Sequence, residues 1–558
     1  MIYTKKFFYA CFFVFLFMFA FLFSSCSTVA ADLGDEPVII EIDEPVLSSP
    51  PARDELFVVF QKNILEFDPR QSYMATEAQI FTAIYEGLFS YHPITMAAVP
   101  AAAYDWDLSS DRKEWTFYIR DDALFQNGDP VRAEDFRAAW LSLLEPEREA
   151  PYSSLFDIIE GARDFRLGNA ARDDVAIIAL DEKTLYVRLN SPAAFFPSML
   201  CHHSFSPIHP SMINETSAAA WSRPISNGPF IMEDMDEDRI VFVKNPLYWE
   251  ADLVALNKIT IVLSDDEDRT SEFWNSREAH WVSANINFDN ITYLSGLEVN
   301  AMFATHYYYI RSVREPWSDY RLRRALSLAL PWNEIRDSYM LPASTLIFPI
   351  RDYPEIEGVE LTNVAEARSL LTEAGYHGGF GLPEIMIKIP PSSTARHIAL
   401  LMARAWQEEL GIRSRIDIVP YSEYFDSLKL PDHDVASITW IGDFADPFAF
   451  LQMWQRESNL NDAGHSDDDF EVLIERSMYE EGLERWSTLA EAEALLLSRG
   501  NVLPIYYHPA INFIDTGEID GWFPNALDMH PFKYLSIRQR RALPGIAALD
   551  TKVNRRSL

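Results

Sequence analysis

Hydrophobic residues follow two different spacings along this chain, and each spacing predicts one type of secondary structure. Alternating apolar residues, or short apolar runs rich in β-branched and aromatic residues, are typical of strands, whereas apolar residues three or four positions apart are typical of helices. The first pattern predicts strands over 56–60, 115–120, 184–189, 239–243 and 384–389. The second pattern predicts helices over 77–88, 133–144, 321–330, 365–374 and 394–410.

The order of these elements predicts the fold class. Strands and helices alternate along the chain, which favours α/β layers over a sandwich or a helical array. Gly375 and Gly411 directly follow two of the predicted helices, as expected of residues that end a helix in a left-handed conformation. A chain of 558 residues is long enough for several domains.

The N-terminal segment has the pattern of an export signal. Two lysines precede an unbroken apolar run over 7–23, and Ser24, Ser25 and Cys26 follow it. A permanent membrane anchor is the alternative, because a run of this length nearly spans a bilayer. Small residues directly before a cysteine resemble a bacterial lipoprotein cleavage site, which implies removal of residues 1–25 and lipidation of Cys26. The acidic, proline-containing stretch over 26–54 is then expected to be a flexible tether.

The net charge and the cysteine content limit the classes of function that this chain can have. The chain carries a formal net charge of −37, and such a surface repels nucleic acid phosphates. The end of the chain over 538–558 carries five arginines, but because of the net charge it is interpreted as a solvated, disordered end and not as a nucleic-acid arm. The disordered tail is predicted over 543–558. Beyond the signal, Cys201 is the single cysteine besides Cys26, so we expect no internal disulfide and a buried, unreactive Cys201 thiol.

The segment over 440–447, with the sequence WIGDFADP, carries the most specific candidate chemistry. It places the acid Asp443 among apolar and small residues, close to the aromatic Trp440 and to Gly442, and a carboxylate in such surroundings favours a cationic ligand. An ammonium group with a neighbouring amide, as at a peptide N-terminus, fits this combination. The alternative is that Asp443 and Asp446 are ordinary turn residues ahead of Pro447.

These motifs resemble those of the bacterial extracellular solute-binding proteins of family 5, which include the oligopeptide and dipeptide receptors of ABC importers. The matching segments run in order from 58 to about 537 and include 67–69, 85–88, 115–120, 127–136, 151–154, 227–230, 245–249, 321–330, 370–375, 440–447 and 503–507. The resemblance implies a two-lobed periplasmic-binding-protein fold of the larger type (class II), with an extra domain in the first lobe.

The same resemblance implies domain boundaries. The first lobe is expected to be discontinuous, formed by 55–88, 190–300 and 500–542, with the extra domain over 89–189. The second lobe is expected over 301–499.

The function implied by the resemblance is capture of short peptides between the two lobes and delivery to an ABC permease and ATPase. Asp443 is expected to hold the peptide ammonium. The further ligand-binding residues implied are Trp440, Gly442, Asn227, Gly228, Ile64, Leu65 and Tyr506. Asn227 and Gly228 could instead form a simple type I′ turn. No arginine precedes Trp440 to hold the ligand carboxylate, and Lys429 is the nearest basic residue.

Other chemistry has no specific support in the sequence. No Gly-x-Ser-x-Gly, His-Glu-x-x-His or phosphate-loop motif occurs, so we predict a protein that is not an enzyme and has no cofactor. His202, His203 and His209 are interpreted as a polar loop and not as metal ligands. We expect a monomer, tethered to the membrane through its lipid anchor. The alternatives are a receptor for another solute, such as a metal chelate, an oligosaccharide or haem, and an adhesin or signalling receptor of the same fold.

Overall fold

The computed structural model describes residues 54–538 apart from 64, 338 and 340. Its strands are β1 (Glu55–Gln61), β2 (Phe89–Tyr91), β3 (Ala98–Pro100), β4 (Ala103–Leu108), β5 (Glu114–Ile119), β6 (Ile177–Ala179), β7 (Thr184–Arg188), β8 (Phe230–Met235), β9 (Arg239–Lys244), β10 (Lys258–Ser264), β11 (Trp281–Ser283), β12 (Leu297–Ile310), β13 (Ile385–Ile389), β14 (Ser414–Ile418), β15 (Val435–Ile441), β16 (Val502–Ile514), β17 (Ile519–Asp520) and β18 (Ser536–Ile537).

The α-helices are α1 (Ala75–Ile84), α2 (Ala133–Leu143), α3 (Ala162–Arg166), α4 (Phe196–Met199), α5 (Ala218–Trp221), α6 (Glu267–Asn275), α7 (Tyr320–Leu328), α8 (Trp332–Arg336), α9 (Val364–Glu373), α10 (Ser393–Leu410), α11 (Tyr421–Leu428), α12 (Phe448–Leu451), α13 (Asp468–Ser477) and α14 (Gly482–Ser498). Among the helices of residues 54–538, none has the length and apolar character needed to cross a bilayer.

The predicted helix over 394–410 shows how local sequence sets an element. The side chain of Ser392 caps the first turn of α10 by accepting from the Ala395 N–H, and Gly411, at φ 71°, ends the helix. The helix predicted over 77–88 is shorter in the structure. It ends at Ile84, because Tyr85 has an extended backbone that leads into the packed segment before β2.

A ten-stranded mixed sheet organises the molecule, in the order β14-β13-β15-β12-β16-β11-β1-β10-β9-β8. The long antiparallel strands β12 and β16 lie between two halves. On one side β11, β1 and β10 run parallel, and on the other side β15, β13 and β14 run parallel. This arrangement is the mixed α/β, two-lobed fold implied by the resemblance, with β12 and β16 connecting the lobes.

The connecting pair is irregular at its centre. The register of β12 against β16 shifts between Ala301 and Thr305, and again between His306 and Tyr307. Register shifts interrupt the ladder of hydrogen bonds and let strands bend locally. The break therefore lies at the point where the strands pass from one lobe to the other.

One hydrophobic core cluster belongs mainly to one half of the sheet, whereas the largest cluster includes residues from both halves. One core cluster is built around α7, α9, α10 and β13 in the second lobe, with Trp406 fully buried among Leu322, Ile387 and Leu503. A four-stranded sheet, β4-β5-β7-β6, forms within the segment predicted as the extra domain. The exact domain boundaries stay a prediction.

Candidate functional site

A cavity of about 540 Å³ lies between segments of the two lobes. One side is formed by the first turns of α1, by 85–91 and by 201–206. The other side is formed by the end of α11, by 438–443 at the end of β15 and by residues between 453 and 462. Its volume is within the range typical of small-molecule sites.

Asp443 lies on the cavity wall directly after β15. The Tyr152 hydroxyl donates to Oδ1 of Asp443 at 2.8 Å, and Nε2 of Gln452 donates to Oδ2 at 3.1 Å. The Tyr91 hydroxyl donates to the backbone carbonyl of Asp443 at 3.2 Å. The side chain is only 9% exposed. Neutral donors therefore fix the carboxylate, and none of them supplies a positive charge.

Burial has a large electrostatic effect on Asp443. Removal from water raises the pKa of this carboxyl to about 7, although the Tyr152 and Gln452 hydrogen bonds act in the opposite direction. The nearest basic side chain is His202, with Nε2 4.0 Å from Oδ1. Burial lowers the pKa of His202 to about 3, so its ring is neutral at physiological pH. Asp443 is thus a buried carboxyl group that has no counter-ion among the described residues when it ionises.

The three histidines lie in the loop-rich segment between α4 and α5. His202, His203 and His209 are all buried there, and His202 and His203 line the cavity. Over residues 54–538, no group of three or more His, Cys, Asp or Glu side chains is arranged to hold a metal ion. Cys201 also lines the cavity, and burial raises the pKa of its thiol, which keeps it protonated.

Trp440 and Gly442 also reach the cavity wall, together with Asp443. The indole N–H of Trp440 donates to the Ala449 carbonyl at 2.9 Å, which fixes the plane of the ring. Gly442 is required by packing, because a Cβ there would lie 2.4 Å from the Phe303 ring. Its N–H donates to the Phe303 carbonyl, so this donor is not free for a ligand.

Asn227 and Gly228, predicted to line the cleft, lie behind its wall and not on it. The Asn227 amide donates to the Glu86 carbonyl at 2.8 Å and accepts from the Glu86 N–H at 3.2 Å. Gly228 packs so closely on Ile84 that a Cβ would lie 2.4 Å from the Ile84 carbonyl carbon. Its φ is not positive, which excludes the type I′ turn. Both residues hold the segment that bears Glu86.

The remaining predicted contacts do not meet at the cavity. Leu65 packs against the core of the first lobe and is absent from the cavity wall. Tyr506 of β16 stacks on Tyr339, which follows α8, and on His306 of β12, with ring centroids 4.4 and 4.8 Å apart. The predicted Ile64 contact and the predicted lipidation at Cys26 lie outside the described residues.

Asp446 is not a simple turn residue. Its carboxylate forms a bidentate ion pair with Arg485, at 2.7 and 2.9 Å, and both side chains are about nine-tenths buried. It also accepts from the Phe448 N–H. Asp446 therefore joins the segment after β15 to α14, away from the cavity.

Two lysines line the cavity in different states. Lys533 is buried and ion-paired to Glu86 at 2.9 Å, and Glu86 in turn accepts from Tyr248 and Trp249. Lys429 is 59% exposed, with Asp426 3.6 Å away as its ion-pair partner. Lys429 is therefore the more exposed of these two lysines.

The partners of Asp443 could not be found from the sequence. Tyr152 and Tyr91 precede Asp443 by 291 and 352 positions, and no local motif links them to it. Gln452 lies nine positions after Asp443. Turns at 444–447 and the short helix α12 bring it back to the carboxylate.

Comparison with known proteins places these features among binding proteins. Residues 97–462 match the family model described as bacterial extracellular solute-binding proteins, family 5 Middle. The chain is 28% identical to the oligopeptide-binding protein OppA of Bacillus subtilis over 72% of this chain and 78% of that protein. It is 26% identical to the periplasmic oligopeptide-binding protein OppA of Salmonella typhimurium over 80% and 85%.

A solved structure supports the same fold. OppA of Haemophilus influenzae, crystallised in complex with the peptide RPPGFSPFR, superposes with a TM-score of 0.78. The match covers 88% of this chain and 99% of that chain, at 23% identity.

Proposed function

Because the chain belongs to the bacterial extracellular solute-binding proteins of family 5, we propose that it captures short peptides and delivers them to an ABC importer. The OppA relatives named above are oligopeptide-binding proteins. The chain itself carries out no reaction in this proposal. Its permease and ATPase partners are separate proteins.

The observation that carries the proposal is the state of Asp443. A buried carboxylate is costly unless a cation pairs with it. Here Tyr152 and Gln452 orient the carboxylate, but the described residues offer it no cation. The N-terminal ammonium of a peptide in the cavity supplies the missing charge. A charge-assisted hydrogen bond in this setting is about twice as strong as a neutral one.

The fold supports capture by closure. The cavity wall is contributed by both lobes, and strands β12 and β16 connect the lobes through an irregular stretch. A ligand that contacts both walls stabilises the closed arrangement relative to the open one. We therefore propose hinge bending about β12 and β16.

Attachment to the membrane completes the proposal. Cleavage before Cys26 and acylation of its thiol would tether the binding domain through the acidic segment 26–54. Stable anchoring needs two or more acyl chains. Cys26→Ser should release the protein from membranes or leave it larger and unprocessed. A variant that fractionates and migrates like the parent would contradict lipidation.

The direct test compares Ala-Ala-Ala with N-acetyl-Ala-Ala-Ala by calorimetry at pH 7.5. Acetylation removes the positive charge and leaves the rest of the peptide unchanged. We expect binding of the free peptide and loss of at least a factor of about 30 on acetylation. Equal affinities would refute the role of Asp443. Binding of a metal chelate, an oligosaccharide or haem in place of either peptide would favour a different solute.

A further inference from the structure

A narrow recess lies next to the cavity and has its own lining. Its wall includes Tyr307, Tyr309, Trp454 and Asp462, and it shares Asp462, Met453 and Leu460 with the main cavity. The recess encloses about 20 Å³. This space holds one water-sized group, which is also the size of an ammonium.

Asp462 is the anion of this recess. Its carboxylate forms no hydrogen bond and no ion pair with the residues that the structure describes, although its backbone N–H donates to the Leu460 carbonyl. Burial raises the pKa of Asp462 to about 6, while Lys429 and Arg311 act in the opposite direction. Asp462 is therefore mostly ionised at pH 7.5 and lacks a direct partner.

The nearby cations are engaged with other groups. The Lys429 ammonium lies 3.6 Å from Asp426 and 5.6 Å from the centre of the Tyr73 ring. Nη1 of Arg311 donates to the Leu430 carbonyl. Neither cation comes within ion-pair distance of Asp462 among the described contacts.

The tyrosines around Asp462 do not neutralise it. The Tyr307 hydroxyl donates to Sδ of Met453, and the Tyr309 hydroxyl contacts Nε2 of His433. Burial lowers the pKa of His433 to about 4, so that ring is neutral. The aromatic rings add surfaces that attract a cation. Together, an unpaired carboxylate and aromatic walls in a recess of this size match an ammonium group.

We propose that Asp462 and its aromatic neighbours form a subsite for a lysine side chain of the bound peptide. This inference rests on the proposed peptide-binding function and adds a preference for basic peptides. The net charge of −37 acts in the same direction, because it raises the local concentration of cationic ligands.

The test measures peptide pairs that differ in one charge. Calorimetry at pH 7.5 compares three pairs of tripeptides. In each pair one alanine of Ala-Ala-Ala, at the first, second or third position, is replaced by lysine in one peptide and by norleucine in the other. At one position or more, lysine should bind about tenfold tighter than norleucine, as expected of a hydrogen bond to a charged group. Asp462→Asn should remove this preference and leave the affinity for Ala-Ala-Ala within about twofold.

Asp426→Asn is the matched control. It removes a carboxylate from the same neighbourhood, but Asp426 is 78% exposed and is not on the cavity wall. The lysine preference should persist in this variant. An equal loss in both variants would show a general effect of charge and would overturn the subsite.

The remaining outcomes separate the two proposals. If the parent protein binds Ala-Ala-Ala but shows no lysine preference, the subsite is wrong and the proposed function stands. A preference that survives in Asp462→Asn also refutes the subsite. If the parent protein binds none of these peptides, both proposals fail. If Asp462→Asn does not fold, the absence of a lysine preference in the parent protein still refutes the subsite.

Discussion

Replacement of Asp443 by asparagine tests the central feature of the site. The amide has nearly the same size as the carboxylate, and its oxygen can still accept from the Tyr152 hydroxyl. Its new NH₂ group has an acceptor at hand, because Oε1 of Gln452 is buried without a hydrogen-bond partner among the described residues. Reorientation of the Gln452 amide would let Oε1 accept from this NH₂ group, and the side-chain volume is unchanged, so we expect the variant to fold.

The loss of affinity follows from the burial of the carboxylate. Truncating one partner of a buried charge pair costs about 2–5 kcal/mol, and 1.4 kcal/mol corresponds to a factor of ten. Asp443→Asn should therefore weaken binding of Ala-Ala-Ala by about 30-fold or more, measured by calorimetry at pH 7.5. N-acetylation of the peptide should cost the variant little, since the charge that the ammonium contacts is already gone.

The matched control is Glu493→Gln. Glu493 is also fully buried, and it accepts from a tyrosine hydroxyl and a backbone N–H, those of Tyr353 and Ile347. Burial likewise raises the pKa of Glu493 to about 7, but this residue is not on the cavity wall. Its variant should keep the parent affinity. Equal losses in the two variants would refute a direct contact between Asp443 and the ligand.

Stability should change in the opposite direction to affinity. The folded-state pKa of Asp443, about 7, lies above its ordinary value of 3.8. The fold therefore favours the protonated carboxyl, a stabilising contribution that is complete below pH 3.8 and is lost as the pH rises through 7. At pH 8 the ionised carboxylate destabilises the ligand-free protein. Asp443→Asn should melt higher than the parent at pH 8, and this gain should shrink toward pH 4. A lower melting temperature at pH 8 would contradict the assignment of a buried, unpaired charge.

The titration of Asp443, the closure of the lobes and the Asp446–Arg485 ion pair can each be tested. Binding of Ala-Ala-Ala should weaken by up to tenfold per pH unit below about 7, because protonated Asp443 must release its proton to the solvent when the ammonium binds. Calorimetry in buffers of different ionisation enthalpy measures this proton release. The release should be absent in Asp443→Asn. Saturating peptide should reduce the radius of gyration in small-angle scattering, whereas an unchanged profile despite binding would argue against hinge closure about β12 and β16. Asp446→Ala leaves Arg485 buried without its partner and should cost about 3–5 kcal/mol of stability in chemical denaturation, while a loss below 1 kcal/mol would contradict a buried ion pair.

Local sequence was sufficient for most of the elements that build the lobes. The strand at 56–60 and the helix at 394–410 were predicted within one residue at each end, because their periodicity and the glycine at 411 act over a few residues. The helix at 77–88 was predicted too long, since its end is set by packing against other segments and not by a local signal. The strands that connect the lobes, β12 and β16, were not among the predicted strands, and their pairing joins residues about 200 positions apart.

In the candidate site, too, local sequence predicted some residues, and tertiary contacts determined the others. The sequence of 440–447 identified Asp443, Trp440 and Gly442, since an acid among apolar neighbours is visible in one short segment, and all three lie on the cavity wall. Asn227 and Gly228 were assigned to the cavity wall through a resemblance, but the side chain of Asn227 forms its hydrogen bonds with the backbone of Glu86. Whether an amide faces a ligand or a neighbouring strand depends on contacts that the local sequence does not encode.

Only the tertiary structure decided which carboxylates carry an unpaired charge. From the sequence, Asp443, Asp446 and Asp462 are three acids in one loop-rich region. Folding brings Arg485 to Asp446, neutral donors to Asp443, and no donor among the described residues to Asp462. The composition determines how many charged groups the chain has. The distance to the nearest opposite charge and the exclusion of water determine the pKa of each group and whether it is paired. Both arise only when distant segments pack together.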